Sequence, residues 1–171
     1  MLALSAALLL AVILAVASDA AKADAIGDCN EATDPSAREA GCSIVIMSGA
    51  EGDVLATALM NRAIALAAQG LPEAALTDLE AALEAAPGSL SVLYNRGNVH
   101  LDLGQYAEAE ADFGRVIEAA PEFALAWLNR GLSRERLGDR KGAERDLLKA
   151  LELDPGLAGA RRALARLGAE P

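Results

Sequence analysis

The sequence predicts an all-α protein built from tandem pairs of helices, and three observations lead to this fold class. Alanine supplies 40 of the 171 residues and aromatic residues only 3%, a balance that favours helices over strands. Groups of residues recur with a spacing of 34 along most of the chain. Within that period, glycine and proline recur where helices are expected to end.

Composition excludes several classes of protein. The chain carries 25 acidic and 15 basic residues, which gives a formal net charge of −10. A nucleic-acid-binding surface needs basic groups to displace phosphate counterions, so we expect no nucleic-acid partner. The hydrophobic fraction of 53% is too high for a disordered chain, and two cysteines are too few for a disulfide-rich mini-domain. The length supports one domain.

The N-terminal segment, residues 1–23, is predicted to be a secretory signal peptide. Residues 2–17 form an apolar run broken only by Ser5, and small-x-small patterns end at Ala17 and Ala23. The run is shorter than the roughly 20 residues that span a bilayer, so an uncleaved membrane anchor is the less favoured alternative. We expect cleavage after Ala17 or Ala23 and an exported, periplasmic protein.

Cys29 and Cys42 are the only cysteines, and export would expose them to oxidising conditions. Their spacing is not that of a C-x-x-C redox pair, and the single His100 is too far along the chain to complete a metal site. A structural disulfide, contributing on the order of 3 kcal/mol, is favoured over two free thiols. We place it in an N-terminal cap segment, residues 24–55, and expect no metal and no cofactor.

Three units of 34 residues, predicted as residues 56–89, 90–123 and 124–157, organise the rest of the chain. The recurring positions are Asn61, Asn95 and Asn129; Arg62, Arg96 and Arg130; Ala63, Gly97 and Gly131; Gly70, Gly104 and Gly138; Ala75, Ala109 and Ala143; Asp78, Asp112 and Asp146; and Pro87, Pro121 and Pro155. Each unit is predicted to be two antiparallel helices, which small residues allow to approach closely.

Helix boundaries follow from local signals. In the middle unit we predict helices over residues 90–103 and 106–120, because Gly104 ends the first and Pro121 stops the second. Upstream, Pro35–Met47 is predicted to be a lone N-terminal cap helix pinned by the disulfide. In the C-terminal segment, residues 158–171, Ala158–Leu167 is predicted to be a capping helix that covers the last unit.

The repeated motifs point to a known family. They read Leu93-x-x-Arg96-Gly97-x-x-His100 with Ala109, Phe113 and Pro121, and then Trp127-x-x-Arg130-Gly131 with Ala143, Leu147 and Pro155. This pattern resembles the tetratricopeptide repeat over residues 56–157. The resemblance implies an α-solenoid of three helix-hairpin repeats, and the flanking segments add the disulfide-pinned N-terminal cap helix and the C-terminal capping helix predicted above. The order of segments is also similar to small exported repeat proteins of alphaproteobacteria.

The chain departs from the family at charged positions. Arginine stands at 62, 96 and 130, where the family usually has leucine, and each arginine precedes an aspartate by sixteen residues. We predict that each arginine pairs with that aspartate, such as Arg96 with Asp112, and so joins the two helices of a unit. The alternative is two independently solvated charges.

The resemblance implies that the first helix of each unit lines a concave peptide-binding groove. By register the groove residues are Met60, Asn61, Ile64, Tyr94, Asn95, Asn98, Leu101, Leu128, Asn129 and Leu132. Tyr94 and Leu128 are the predicted anchors. Asn61, Asn95 and Asn129 form an asparagine ladder, which we expect either to grip a peptide backbone or only to pack the helices.

No catalytic constellation is visible, so we expect no enzymatic activity. His100 stands where the family has a packing tyrosine and is predicted to be structural. The groove also lacks the basic residues with which related modules clamp a C-terminal carboxylate. We therefore predict a scaffold for a neutral or basic protein or peptide, whose encounter the acidic charge would steer. The alternatives are a self-associating envelope protein with no separate client, and a carrier subunit of an envelope enzyme complex.

Overall fold

The computed structural model describes residues 21–168, and within that range it contains nine α-helices and no strand. The helices are α1 (residues 21–31), α2 (Pro35–Met47), α3 (Gly52–Ala68), α4 (Pro72–Ala85), α5 (Leu90–Asp102), α6 (Tyr106–Ala119), α7 (Ala124–Leu137), α8 (Arg140–Leu153) and α9 (Ala158–Leu167). The predicted all-α class is confirmed. In this range no helix is both long and apolar enough to cross a membrane. Most of the predicted signal peptide lies outside the described residues.

The helix ends follow the local signals in the sequence. Helices α2 and α9 have the predicted bounds, whereas α5 and α6 each end one residue earlier than predicted. Asp34 caps α2 by accepting a hydrogen bond from the backbone N–H of Ala37 at 2.8 Å. Gly104 follows α5 with a φ of +72°, a left-handed conformation that glycine adopts at little cost.

Small residues bring the two helices of a unit together. In the middle unit Gly97 of α5 lies against the ring of Phe113 in α6, which is completely buried. A Cβ atom added to Gly97 would lie 2.8 Å from two ring carbons of Phe113. The recurring alanine or glycine at this position therefore sets how closely the paired helices approach.

The first helices of the units form the inner face of the solenoid. Helix α3 contacts α5, α5 contacts α7, and α7 contacts α9. Among the helices whose contacts are described, the second helices α4, α6 and α8 make no contact with one another. Because the first helices lie closer together than the second, the stack curves so that the first helices line its concave side.

The predicted arginine–aspartate pairs are confirmed in all three units. The Nε and Nη2 atoms of each arginine donate to the two carboxylate oxygens, at 2.7 and 2.7 Å for Arg62 with Asp78 and at 2.7 and 2.6 Å for Arg96 with Asp112. The third pair, Arg130 with Asp146, has distances of 2.8 and 2.9 Å. These bidentate ion pairs join the first helix of each unit to the second.

The N-terminal cap contains a helix that the sequence analysis did not predict. Helix α1 packs antiparallel to α2, and the predicted Cys29–Cys42 disulfide is present and joins them. A Cβ atom on Gly41 would lie 2.8 Å from the backbone nitrogen of Cys29. Cys29 and Gly41 precede Ala63 and Ala75 by 34 residues, so α1 and α2 form a further pair in register with the repeats.

Helix α3 is longer than the other first helices. It begins at Gly52, whereas α5 and α7 begin at Leu90 and Ala124, the register equivalents of residue 56. The additional turn places Leu55 against the core between α3 and α4 and leaves Val54 61% exposed. This turn gives the first unit a wall that the other units lack.

Candidate functional site

The structure places most of the predicted groove residues on the inner face. Nine of the ten are partly exposed: Met60, Asn61, Ile64, Tyr94, Asn95, Asn98, Leu101, Asn129 and Leu132. They lie on α3, α5 and α7, which are the helices that line the concave side. The predicted set therefore shares one surface but does not converge on one point.

Leu128 requires a correction. It is only 9% exposed and belongs to an apolar cluster with Leu147 of α8 and Leu164 of α9. The C-terminal capping helix packs over this side chain, because the last unit would otherwise leave apolar surface in contact with water. Leu128 is therefore a core residue at the end of the solenoid and offers no anchor to a partner.

Two members of the asparagine ladder join consecutive first helices. Asn129 of α7 donates from Nδ2 to the Oδ1 atom of Asn98 in α5 at 2.8 Å and to the hydroxyl of Tyr94 at 3.2 Å. Asn61 of α3 donates in the same way to the Oδ1 atom of Asn30 in α1 at 3.1 Å. At these two positions the ladder packs the helices.

Asn95 differs from the other two asparagines. The partner position in the preceding first helix, 31 residues earlier, is held by Ile64, which cannot accept a hydrogen bond. Asn95 instead donates from Nδ2 to the carbonyl oxygen of Ser91 in its own helix at 2.8 Å. Within the described residues its Oδ1 atom has no donor, so the amide keeps hydrogen-bonding capacity for a partner.

Tyr94 stands beside Asn95 at the centre of an aromatic cluster. Its ring meets those of Phe113 and Phe123 edge-on, with centroids 5.7 and 5.0 Å away. The hydroxyl accepts a bond from Asn129, and no acceptor for its proton lies among the described residues. Tyr94 and Asn95 open onto a cleft of about 280 Å³, the central cleft, whose other lining residues are Leu90, Ser91, Val116, Ala120 and Phe123.

The basic side chains of the inner helices already have partners. Four of the five arginines on α3, α5 and α7 pair with carboxylates: Arg62, Arg96 and Arg130 with aspartates, and Arg134 with Glu110 and Asp146. The fifth, Arg136, is exposed and donates to the neutral hydroxyl of Tyr106. The pKa of Arg96 is raised above its usual value, chiefly by its hydrogen bonds to Asp112, so it remains charged. The four arginines that pair with carboxylates are therefore not free to clamp the carboxylate of a partner.

His100 is a buried, hydrogen-bonded side chain of α5. His100 is 8% exposed, and its Nδ1 atom shares a hydrogen bond of 2.6 Å with the Oε1 atom of Gln105, as its predicted packing role requires. Between residues 21 and 168 no group of histidine, cysteine and carboxylate side chains is arranged to hold a metal ion. The inner face therefore combines open hydrogen-bonding groups with apolar surface.

Sequence comparisons match the repeat region. Two profiles described as tetratricopeptide repeat match, one over residues 53–122 and the other over residues 94–158. Together they span more than half of the 171 residues. No curated protein sequence matches the chain.

Solved structures with the same fold include the following three. A MamA RS-1 ArsTM double mutant has a TM-score of 0.78 at 22% identity and covers 88% of this chain and 83% of its own. YrrB, a TPR protein with an unusual peptide-binding site, has a TM-score of 0.69 at 22% identity, and the match covers 77% of this chain and 66% of YrrB. The first TPR of Spaghetti (RPAP3), bound to the HSP90 peptide SRMEEVD, has a TM-score of 0.66 at 23% identity, and the match covers 69% of this chain and 94% of that domain. At these identities the similarity shows the fold alone.

Proposed function

The chain belongs to the tetratricopeptide-repeat family, and from this premise we propose that it is a non-catalytic scaffold that binds a partner protein along its inner face. The observation that carries the proposal is the central cleft. There Tyr94 and Asn95 present an unused phenolic proton and an unused amide oxygen beside an apolar wall. This combination suits an extended peptide, whose backbone offers acceptors and donors and whose side chains offer apolar surface.

Relatives with the same fold support a peptide as the occupant. The Spaghetti domain is bound to an HSP90 peptide, and YrrB is described as having a peptide-binding site. The peptide SRMEEVD carries three acidic side chains. In the present chain four of the five arginines on α3, α5 and α7 are paired with carboxylates and the net charge is −10. We therefore propose a neutral or basic segment.

The proposed setting is the periplasm. The apolar run over residues 2–17 supports export, and the Cys29–Cys42 disulfide suits an oxidising compartment. A partner would then be another exported protein or the exposed part of an envelope protein.

Removing the two open polar groups is expected to weaken binding without unfolding the protein. The variant Tyr94→Phe/Asn95→Ala keeps the aromatic ring and its edge contacts but deletes the hydroxyl and the amide. Each hydrogen bond to a partner contributes about 0.5–1.5 kcal/mol, so we expect affinity to fall about tenfold. The tagged, oxidised protein is used to capture partners from a periplasmic extract, and the captured proteins are compared by quantitative mass spectrometry.

The matched control is Leu148→Ala, which removes an exposed side chain of α8. Partners held by the wild type and by the control but depleted by the inner-face variant would support the proposal. Identical capture by all three proteins, or recovery of nothing but further copies of the chain, would contradict it. The second result would favour the self-associating role.

A further inference from the structure

A second and larger cleft lies at the N-terminal end of the solenoid, between α1, α2 and the start of α3. Its volume is about 420 Å³. We call it the N-terminal cleft, and its lining residues are Ile26, Cys29, Asn30, Val45, Asp53, Val54, Thr57 and Ala58. None of these residues belongs to the groove predicted from the sequence.

The N-terminal cleft continues the inner face. Ile26 and Asn30 of α1 occupy the register positions of Met60 and Ile64 in α3, and Thr57 occupies that of Ser91 in the central cleft. The additional turn of α3 closes the cleft on one side with Asp53 and Val54. A chain lying along the first helices would therefore reach this cleft.

Two apolar side chains of the cleft remain largely exposed to solvent in the part of the chain that the structure describes. Ile26 is 48% exposed and Val54 is 61% exposed, and Val45 and the disulfide sulfurs lie behind them in a buried cluster. Two exposed aliphatic residues facing one concave site mark a place where an apolar group can be buried.

The surrounding charge is acidic. Residues 21–55 contain seven carboxylate side chains and two basic ones, and Asp53 lies in the lining itself. Asp24, Asp28 and Glu31 line a separate depression on another face of α1. A partner segment that brings an apolar side chain here meets the negative charge of Asp53 in the lining.

We propose that the N-terminal cleft is a binding subsite for one aliphatic side chain of a partner segment that carries lysine or arginine beside it. The proposal rests on the proposed function, since it assigns part of the same partner to this end of the inner face. The aliphatic side chain lies between Ile26 and Val54, and the neighbouring cation lies near Asp53. The subsite exists only while the Cys29–Cys42 disulfide holds α1 against α2, because α1 supplies one of its walls.

The test is an NMR titration of the oxidised full chain with methyl groups labelled. The probes are three nine-residue peptides in a serine–glycine background, with Lys-Leu-Lys, Glu-Leu-Glu or Lys-Ser-Lys at the centre. We expect Lys-Leu-Lys at millimolar concentration to shift the methyl signals of Val45 and Val54. Exchanging leucine for serine should weaken binding about tenfold, because the apolar group that would be buried is lost. Exchanging lysine for glutamate should also weaken binding about tenfold, because the peptide's carboxylates would be repelled by Asp53.

Val54→Ser provides the matched variant, because an exposed side chain can be replaced without disturbing the core. This substitution should lower the affinity for the Lys-Leu-Lys peptide roughly fivefold, as expected for the loss of part of an apolar contact. The control Leu148→Ser, which replaces an exposed leucine of α8, should leave the affinity for this peptide unchanged.

Three results would overturn the subsite: no shift at Val45 or Val54, equal binding of the Lys-Leu-Lys and Glu-Leu-Glu peptides, or shifts confined to the central cleft. The last result would leave the proposed function intact, because binding would then occur at Tyr94 and Asn95. The capture experiment with Tyr94→Phe/Asn95→Ala tests that function separately.

Discussion

Replacing Arg96 with alanine is expected to lower the free energy of unfolding by about 3 kcal/mol, because it strands a buried carboxylate. The side chain of Asp112 is 4% exposed and accepts two bonds from Arg96. After the substitution the nearest basic side chain is that of His100, whose Nε2 atom is 3.9 Å from Oδ2, which is too far for a hydrogen bond. Urea unfolding followed by circular dichroism measures the loss.

The reverse substitution should cost less. Asp112→Ala strands Arg96, whose side chain is 23% exposed and can turn towards water. We expect a loss of roughly 1–3 kcal/mol, as for other groups left without a partner. The double variant should lose far less than the sum of the two single variants, because each substitution removes the same interaction.

Arg115→Ala is the matched control for charge, since Arg115 is an exposed arginine of α6. Its effect should stay within about 0.5 kcal/mol. Losses that add in the double variant, or an Arg96→Ala effect no larger than that of the control, would show that the pair does not hold the two helices together.

Replacing both cysteines with serine is expected to unfold α1 selectively. In the chain-entropy picture the Cys29–Cys42 bond contributes on the order of 3 kcal/mol, and a helix of this length is marginal by itself. The loss should stay at the N-terminal end, because each unit of a solenoid contacts only its neighbours. The middle and third units should keep their stability.

Hydrogen exchange resolved by mass spectrometry measures this effect. Amides of residues 24–47 should exchange faster in the Cys29→Ser/Cys42→Ser variant, while those of α7 and α8 should not change. Treating the wild type with a reductant should reproduce the variant, and the variant should not respond to it. Unchanged protection of α1, or equal loss throughout the chain, would contradict the account.

Much of the fold could be predicted because its signals are local or repeated. Gly104 and Pro121 mark helix ends through backbone chemistry that does not depend on tertiary contacts. The Arg96–Asp112 pair could be predicted because the same spacing recurs three times. A single occurrence would have carried no such information.

The pairing of α1 with α2 was missed because the conspicuous repeat residues are absent there. Gly27, Asp28 and Ile44 stand where the three repeats have asparagine, arginine and aspartate. Only Cys29 and Gly41 keep the register of the close helix contact. In this pair the disulfide connects the two helices, where the other units use an ion pair.

The candidate site was harder to predict because it depends on neighbours that are distant in sequence. The role of an asparagine is set by the residue 31 positions earlier: Asn98 gives Asn129 a partner, whereas Ile64 leaves Asn95 without one. That comparison could have been made from the sequence once the repeat register was known. The burial of Leu128 depends instead on how closely α9 packs, which the register does not reveal.

Site-specific photo-cross-linking in the periplasm tests the central claim most directly. A benzophenone amino acid is placed at Ser91, an exposed residue of the central cleft on α5, and separately at Ala111, an exposed residue of α6 in the same unit. The account predicts a discrete adduct with another protein from position 91 and none from position 111. Adducts from position 111 alone, or only adducts between copies of the chain, would contradict a partner-binding inner face.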